Sequence, residues 1–227
     1  MHFSKDGKVD NVDAALAVAA IGWEANTANI GLERAGVELN TRRFIQVNEF
    51  LQTSASHIFA AGDVTGRMML VPQAIQDGFV AATNAVKGLV KTVPDEAAPI
   101  GSFTDPEYSQ VGLTEMQARD EHEVLIARIN FDSTTRTIID GRTTGFCKLI
   151  ADRNTGLILG CHVVGDRAVE LAQVAAVAMT AGMTVERLAY VPLSFPTYAG
   201  VLVRAAAMAA REMNTGAGPA DFAFEDI

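Results

Sequence analysis

The sequence predicts an α/β segment followed by an α+β domain. Short apolar runs ending in Gly or Asp fill residues 1–92, and one long helical pattern closes that stretch. Residues 100–213 alternate strand-like runs with helical ones. The intervening 93–99 has the Pro, Ala and acidic residues of a linker, and 214–227, rich in Gly and Ala, reads as a mobile tail.

The elements follow in order. Asp6-Gly7, flanked by Lys5 and Lys8, is a hairpin signal. Ala14–Gly22, AALAVAAIG, reads as a buried strand because it is continuously apolar. Trp23–Thr27 reads as a loop. Leu32–Ala35 predicts one helical turn stopped by Gly36, and Phe44–Val47 predicts a strand. Ile58–Ala61 predicts a short buried strand running into Gly62-Asp63, with a turn at Val64–Arg67. Val71–Val90 has helical periodicity, with Ala74, Ile75, Phe79, Ala82 and Val86 on one face and Gly88 marking its end.

Beyond the linker, strands are expected at Ile100–Phe103, Tyr108–Leu113, Val124–Phe131, Gly145–Ala151 and Leu157–Val164. Thr114 is placed to cap a helix through Arg119, with Glu115 in its first turn. Asp166–Ala181 predicts an amphipathic helix stopped by Gly182, and Thr184–Leu188 another turn. The alanine-rich Tyr198–Met213 predicts a last helix beyond Pro196.

Composition narrows the partners. Among 227 residues the net charge is -9, which argues against nucleic acid and against an anionic membrane surface. No apolar run is long enough to span a bilayer, and the first residues lack a hydrophobic signal region, so a cytoplasmic location is expected. The four histidines, His2, His57, His122 and His162, show no metal-ligand spacing, so no metal site is expected. Cys147 and Cys161 fall on two strands of one hairpin turned at Asp152–Gly156. One register sets them side by side and a one-residue slip sets them on opposite faces. Unpaired, buried thiols are expected. Arg42, Arg43, Arg204 and Arg211 read as solvated surface, and Met68, Met69, Met179 and Met183 as filler.

Gly62-Asp63 is the candidate ligand site. Open α/β sheets bind ligands at the carboxyl ends of their strands. A carboxylate there only accepts hydrogen bonds and so selects donors such as sugar or ribityl hydroxyls. Small residues at Ala60, Ala61 and Gly62 let an extended or flat group approach the backbone. The alternative is an ordinary strand end with Asp63 capping the next turn.

Around this point the segments AIGWEANTANIGLERAGVELN, IFAAGD, LVPQAIQDGFVAATNAV, FTDPEYSQVGLTEMQAR, GFCKLIADRNTGLILGCHVVGDRAVELAQ and PLSFPTYAGVLVRAA follow one another. In that order they resemble the carboxyl-terminal half of the pyridine nucleotide–disulfide oxidoreductases, which include dihydrolipoamide dehydrogenases, mercuric reductases and soluble pyridine nucleotide transhydrogenases. The resemblance implies the remnant of a nucleotide-binding domain, then a dimerisation domain made of an antiparallel sheet with helices on one side. It implies that Gly62 and Asp63 hold the ribityl chain of FAD and that Val71, Gln73 and Ala74 bring backbone donors towards the flavin. It further implies a homodimer in which Phe195, Tyr198, Val201 and Leu202 supply contact area.

The sequence departs from the family at points that carry chemistry. No G-x-G-x-x-G turn is present, so most of the NAD(P) site and the pyrophosphate end of the FAD site would lie in a missing amino-terminal half. Flavin binding by this stretch alone is therefore expected to be weak or absent. The C-x-x-x-x-C redox disulfide is missing. Where the disulfide reductases carry H-P-T-x-x-E, Phe195 takes the His position and Gly200 the Glu position, and neither can move a proton. No catalytic residue is assigned. Two functions follow as alternatives: part of an FAD-dependent NAD(P)H oxidoreductase, or a non-enzymatic dimerisation module or inactive truncated product.

Overall fold

Residues 2–93 and 98–213 are described by a computed structural model. The chain divides into two compact units, Met1–Val93 and Pro94–Ile227.

The first unit opens with the expected hairpin. β1 (His2–Lys5) pairs with β2 (Lys8–Asn11), and Asp6 and Gly7 take positive φ in the turn. Ala14–Gly22 is not a buried strand. It has no ladder partner and lies exposed, with Leu16 at 80%, Val18 at 81% and Ile21 at 97%. Apolar character alone cannot make a strand, because its backbone N–H and C=O groups need a neighbour to bond. Two other expected strands shrink to isolated bridges, their backbone groups bonding to loop segments, as Ile45 N–H does to Val64 and Ala60 N–H to Leu51. Within Phe44–Val47 only Ile45 pairs, with Leu39, and within Ile58–Ala61 only Phe59 pairs, with Gln52. The turn over Leu32–Ala35 forms as a 3-10 helix, and Gly36 closes it in the left-handed conformation.

α1 (Val71–Lys87) forms where periodicity places it and ends at Gly88, but its buried face differs from the expected one. Gln73, Asp77, Val80, Ala81 and Asn84 are buried, while Ile75, Phe79 and Val86 are 56%, 68% and 84% exposed. The polar side chains turn inward because loops around the helix present backbone groups that need partners. Asn84 alone bonds Phe50, Val90 and Lys91. Two small apolar clusters complete the unit, one around Leu51 and Val80 and one around Val37, Ile45 and Ala60.

The second unit forms all five expected strands. β3 (Ile100–Ser102), β4 (Tyr108–Gly112), β5 (Val124–Asn130), β6 (Phe146–Asp152) and β7 (Ile158–Val164) make one antiparallel sheet of order β3-β4-β7-β6-β5. Period-2 alternation puts Val111, Leu125, Ala127, Cys147, Leu149, Cys161 and Val163 in one core with α4 (Ala168–Thr180), α5 (Val185–Ala189) and α6 (Gly200–Glu212). α2 (Glu115–Glu121) starts at Thr114 with a capping box completed by Gln117. Its Glu115 also pairs with Lys148 at 3.3 Å, a side chain next along β6 from Cys147 and Leu149 and so on the opposite face. A short 3-10 turn, Phe131–Ser133, and α3 (Thr135–Ile139) were not foreseen. The tail 214–227 lies outside the described residues.

Register settles the cysteines. Cys147 lies opposite Val163 and Leu149 opposite Cys161, so the two thiols are diagonal neighbours on one face. Both are free and buried, with sulfurs 3.9 Å apart. The neighbouring Cys161 thiol and then burial push the Cys147 thiol well above its usual range.

The β6–β7 turn depends on one carboxylate. Asp152 accepts the N–H groups of Asn154 and Thr155 on Oδ1 at 2.8 and 2.9 Å, and its Oδ2 meets His122 Nδ1 at 2.7 Å. The His122 contact first, then the Thr155 N–H, holds Asp152 below the usual carboxylate range. A carboxyl with a depressed folded value stabilises the fold above its unfolded pKa of about 3.9, and that contribution is lost as pH falls through the folded value. The resistance of the native chain to urea should therefore fall as the pH drops below about 4. In Asp152→Asn that acid limb should be flatter and the neutral stability lower. Equal acid slopes in the two proteins would remove Asp152 as the cause.

Candidate functional site

Ala61 is extended, and the chain then enters the single 3-10 turn Gly62–Thr65. Gly62 has φ +74°, and a Cβ placed on it would lie 3.2 Å from the Cβ of Ala74, so the turn sits tightly on the first turn of α1. Thr65 Oγ1 donates to the Gly62 carbonyl at 2.8 Å. Gly66 closes the turn at φ +65° and donates its N–H to the Asp63 carbonyl at 3.0 Å. A Cβ on Gly66 would strike the Phe44 ring at 2.4 Å, so only glycine fits.

Asp63 is left exposed at this turn, and among the described residues its carboxylate takes no hydrogen bond or ion pair. An uncommitted carboxylate beside small residues suits a ligand that brings several hydroxyl donors. Of the residues proposed to offer backbone donors, Val71 is exposed, and Pro72 has no N–H. The Ala74 N–H is already bonded to Leu70 at 2.9 Å. The N–H groups of Val71 and Gln73 remain at the helix start, where no side chain caps them and no acidic residue sits in the first turn. The Gln73 side chain points inward: its Nε2 donates to Asp77 Oδ1 at 2.8 Å.

Asp77 escaped the sequence reading. It is 1% exposed, and its Oδ2 accepts the Gly62 N–H at 3.3 Å. The signal available was the i,i+4 spacing of Gln73 and Asp77, two polar residues on one helix face. Arg42 and Arg43, expected as plain surface, line a cleft of about 560 Å³ with Ile21, Trp23, Glu24 and Thr41. Arg42 stacks over Phe44, 5.3 Å from the ring centre.

In the second unit, Phe195 is 64% exposed and Gly200 is the first residue of α6. Neither side chain can carry a proton. Tyr198, between them, is both a packed aromatic and a phenolic donor. Its ring lies 6.3 Å from Phe131, and its hydroxyl donates to Asp140 Oδ2 at 3.1 Å. Burial, then hydrogen bonds with Asp166 and Asp140, push the phenol above its usual range, so it stays protonated. Val201 and Leu202 are 1% and 0% exposed within this chain. They cannot provide contact area for a second copy, because α6 turns both towards its own sheet. Arg204, expected in solvent, is half-buried and donates to the Ser133 carbonyl. His162 is half-buried on β7 with Nε2 3.1 Å from the Leu113 carbonyl. Among the described residues, no cluster of three or more His, Cys, Asp or Glu side chains is placed to hold a metal ion. Nor is any described helix long and apolar enough to cross a membrane.

The Gly-Asp turn on a helix start and the five-stranded domain with alanine-rich helices fall in segments that match one class of oxidoreductase. The pyridine nucleotide-disulphide oxidoreductase model matches residues 2–78, and the model of that family's dimerisation domain matches residues 98–206. The chain belongs to the pyridine nucleotide-disulphide oxidoreductase family.

Within the family it is 36% identical to a mercuric reductase of Bacillus cereus, over 82% of this chain and 30% of that protein. It is 33% identical to a dihydrolipoyl dehydrogenase of Geobacillus stearothermophilus, over 91% of this chain and 44% of that protein. The crystal structure of LpdA from Mycobacterium tuberculosis superimposes with a TM-score of 0.80 at 30% identity, over 88% of this chain and 44% of that one. The HOCl-induced flavoprotein disulfide reductase RclA from Escherichia coli gives a TM-score of 0.73 at 27% identity, over 81% of this chain and 42% of that one. The chain thus spans less than half the length of each of these relatives.

Proposed function

We propose that this chain is part of an FAD-dependent oxidoreductase that passes hydride or electrons between NAD(P)H and an acceptor. When bound, the flavin supplies the redox chemistry, and the protein binds and orients it. The observation that carries the reading is the exposed, uncommitted Asp63 carboxylate on a glycine-gripped turn at the start of α1. Asp63 would accept ribityl hydroxyls, and the N–H groups of Val71 and Gln73 would face the flavin. Gly62 and Ala74 keep that approach free of bulk. Family membership supports the cofactor class, and the short span relative to the relatives supports an amino-terminal nucleotide-binding partner segment. Phe195 and Gly200 offer no acid–base pair, so thiol exchange of the usual disulfide-reductase kind is not part of the proposal.

The second unit would form a homodimer, supported by its match to the dimerisation-domain model. Phe195 and Val177, 64% and 70% exposed, are the apolar side chains we assign to that contact in place of Val201 and Leu202. Light scattering behind size exclusion should give twice the 24.1 kDa chain mass. A monomer at micromolar concentration would remove the dimer.

The flavin reading is tested by titrating FAD into the purified chain and following flavin fluorescence and the visible flavin band. Weak quenching that saturates only at high FAD concentration is expected, and in Asp63→Ala it should weaken further by about tenfold or more. Binding that is unchanged in Asp63→Ala would refute the assignment of that carboxylate. A chain that dimerises and takes up no flavin at any concentration would favour the non-enzymatic dimerisation module instead.

A further inference from the structure

Gly62 is held from three directions. Its N–H goes to Asp77 Oδ2 at 3.3 Å, its carbonyl receives Thr65 Oγ1 at 2.8 Å, and its Cα side rests against Ala74. Asp77, Gln73 and Thr65 are 1%, 6% and 6% exposed, so this grip lies inside the unit and not on its surface. A buried carboxylate is costly unless it is well bonded. Asp77 is bonded on both oxygens, to Gln73 Nε2 and to the Gly62 N–H. The next residue along the chain is Asp63, whose carboxylate is exposed and uncommitted. An inward carboxylate thus fixes the backbone from which an outward carboxylate projects.

We infer that Asp77 is a positioning residue: with Gln73 it clamps the Gly62 N–H, and this presets Asp63 to receive the hydroxyl groups of a flavin side chain. The inference rests on the proposed role of Asp63 and extends it. A carboxylate aimed before its ligand arrives loses less freedom on binding, so affinity for hydroxyl-bearing ligands depends on the clamp. The clamp touches no ligand. Its removal should weaken recognition of the side-chain hydroxyls and leave contacts with the ring system alone.

The test titrates the full chain with riboflavin and with lumiflavin, which has the same ring but no ribityl hydroxyls, and follows backbone amide resonances. In the native chain the Gly62 and Asp63 amides should shift saturably with riboflavin. In Asp77→Ala, riboflavin affinity should fall about tenfold, lumiflavin affinity should stay unchanged, and Gly62 amide exchange should accelerate relative to Val80. Asp77→Asn should restore most of the affinity, because its amide oxygen can still accept the Gly62 N–H once the Gln73 amide flips.

Riboflavin binding that is weakened by Asp63→Ala but native in Asp77→Ala would overturn the positioning role and leave the flavin reading standing. Equal losses of riboflavin and lumiflavin in Asp77→Ala would also overturn it, by showing a merely structural effect. Absence of a saturable shift in the native chain, or native riboflavin binding in Asp63→Ala, would sink the flavin reading and this inference with it. Should Asp77→Ala fail to fold, Gln73→Ala decides: a smaller selective loss of riboflavin supports the clamp, and no loss overturns it.

Discussion

Phe131→Ala should destabilise the second unit by about 3–5 kcal/mol, a large part of the stability of a typical domain. Among the described residues Phe131 is the largest fully buried side chain, at 0% exposure. Its ring fills the space beneath Gly165, where an added Cβ would approach to 2.4 Å, so neighbouring backbone has no slack to collapse into a cavity. The residue is anchored by its backbone as well. Its N–H donates to Gly145 at 3.0 Å, and its carbonyl accepts the hydroxyls of Thr134 and Thr137. Those anchors survive truncation, so the cavity stays open and its full cost is felt. Tyr198 loses its aromatic neighbour, and with it part of the support for the segment leading into α6. Urea denaturation followed by circular dichroism measures the loss. Phe131→Leu, which leaves a much smaller gap, should cost less than half as much, and a loss below about 1 kcal/mol in Phe131→Ala would show that the site can collapse.

The second large effect is expected in the first unit, at Asn84→Asp. Asn84 is 2% exposed and uses both ends of its amide. Nδ2 donates to the carbonyls of Phe50 and Lys91 at 2.9 and 2.6 Å, and Oδ1 accepts the N–H groups of Val90 and Lys91 at 3.0 and 2.9 Å. Aspartate preserves shape and the acceptor end but sets a carboxylate oxygen against two carbonyls. The cost is two unsatisfied carbonyls plus an unpaired buried charge, about 3 kcal/mol or more. The apolar clusters of this unit are small, so the loss should melt it selectively. Hydrogen exchange should then show residues 48–53 and 88–93 losing protection while the five-stranded sheet keeps its own. Native protection in both segments would refute the claim that Asn84 ties them together. Asn84→Ala, which removes the charge problem, should fall between the native chain and Asn84→Asp.

These two positions show where sequence reading works. Around Phe131 the strands, their alternation and the helix stops were legible, because β4 to β7 and their helices lie close together in one stretch. The pattern of each strand also matches the face that its neighbours bury. Even there the turn at Phe131–Ser133 and α3 went unseen, since Thr134 and Thr137 bond locally in a way that no apolar period signals. Around Asn84 the apolar period points to the exposed face of the helix. Ile75, Phe79 and Val86 form the better apolar stripe, yet the buried face is the one that meets Gly62, Phe50 and Lys91. For the candidate site, the Gly-Asp pair was legible from its residues and the family likeness, whereas Asp77 was not. A carboxylate on α1 gives no sign in sequence that a glycine fifteen positions earlier needs its oxygen.

The sequence by itself determined that α1 and the three helices beside the sheet would form, that glycines would stop α1 and α4, and that β3 to β7 would be strands. A helix closes its own hydrogen bonds, and period-2 alternation needs no knowledge of the neighbour's identity. Tertiary structure alone decided that Ala14–Gly22, Phe44–Val47 and Ile58–Ala61 are not strands, that the polar side of α1 faces inward, and that Cys147 and Cys161 lie diagonally across one face. Each of those outcomes depends on which backbone groups lie alongside, and a strand or a buried polar side chain exists only when such a partner is in reach.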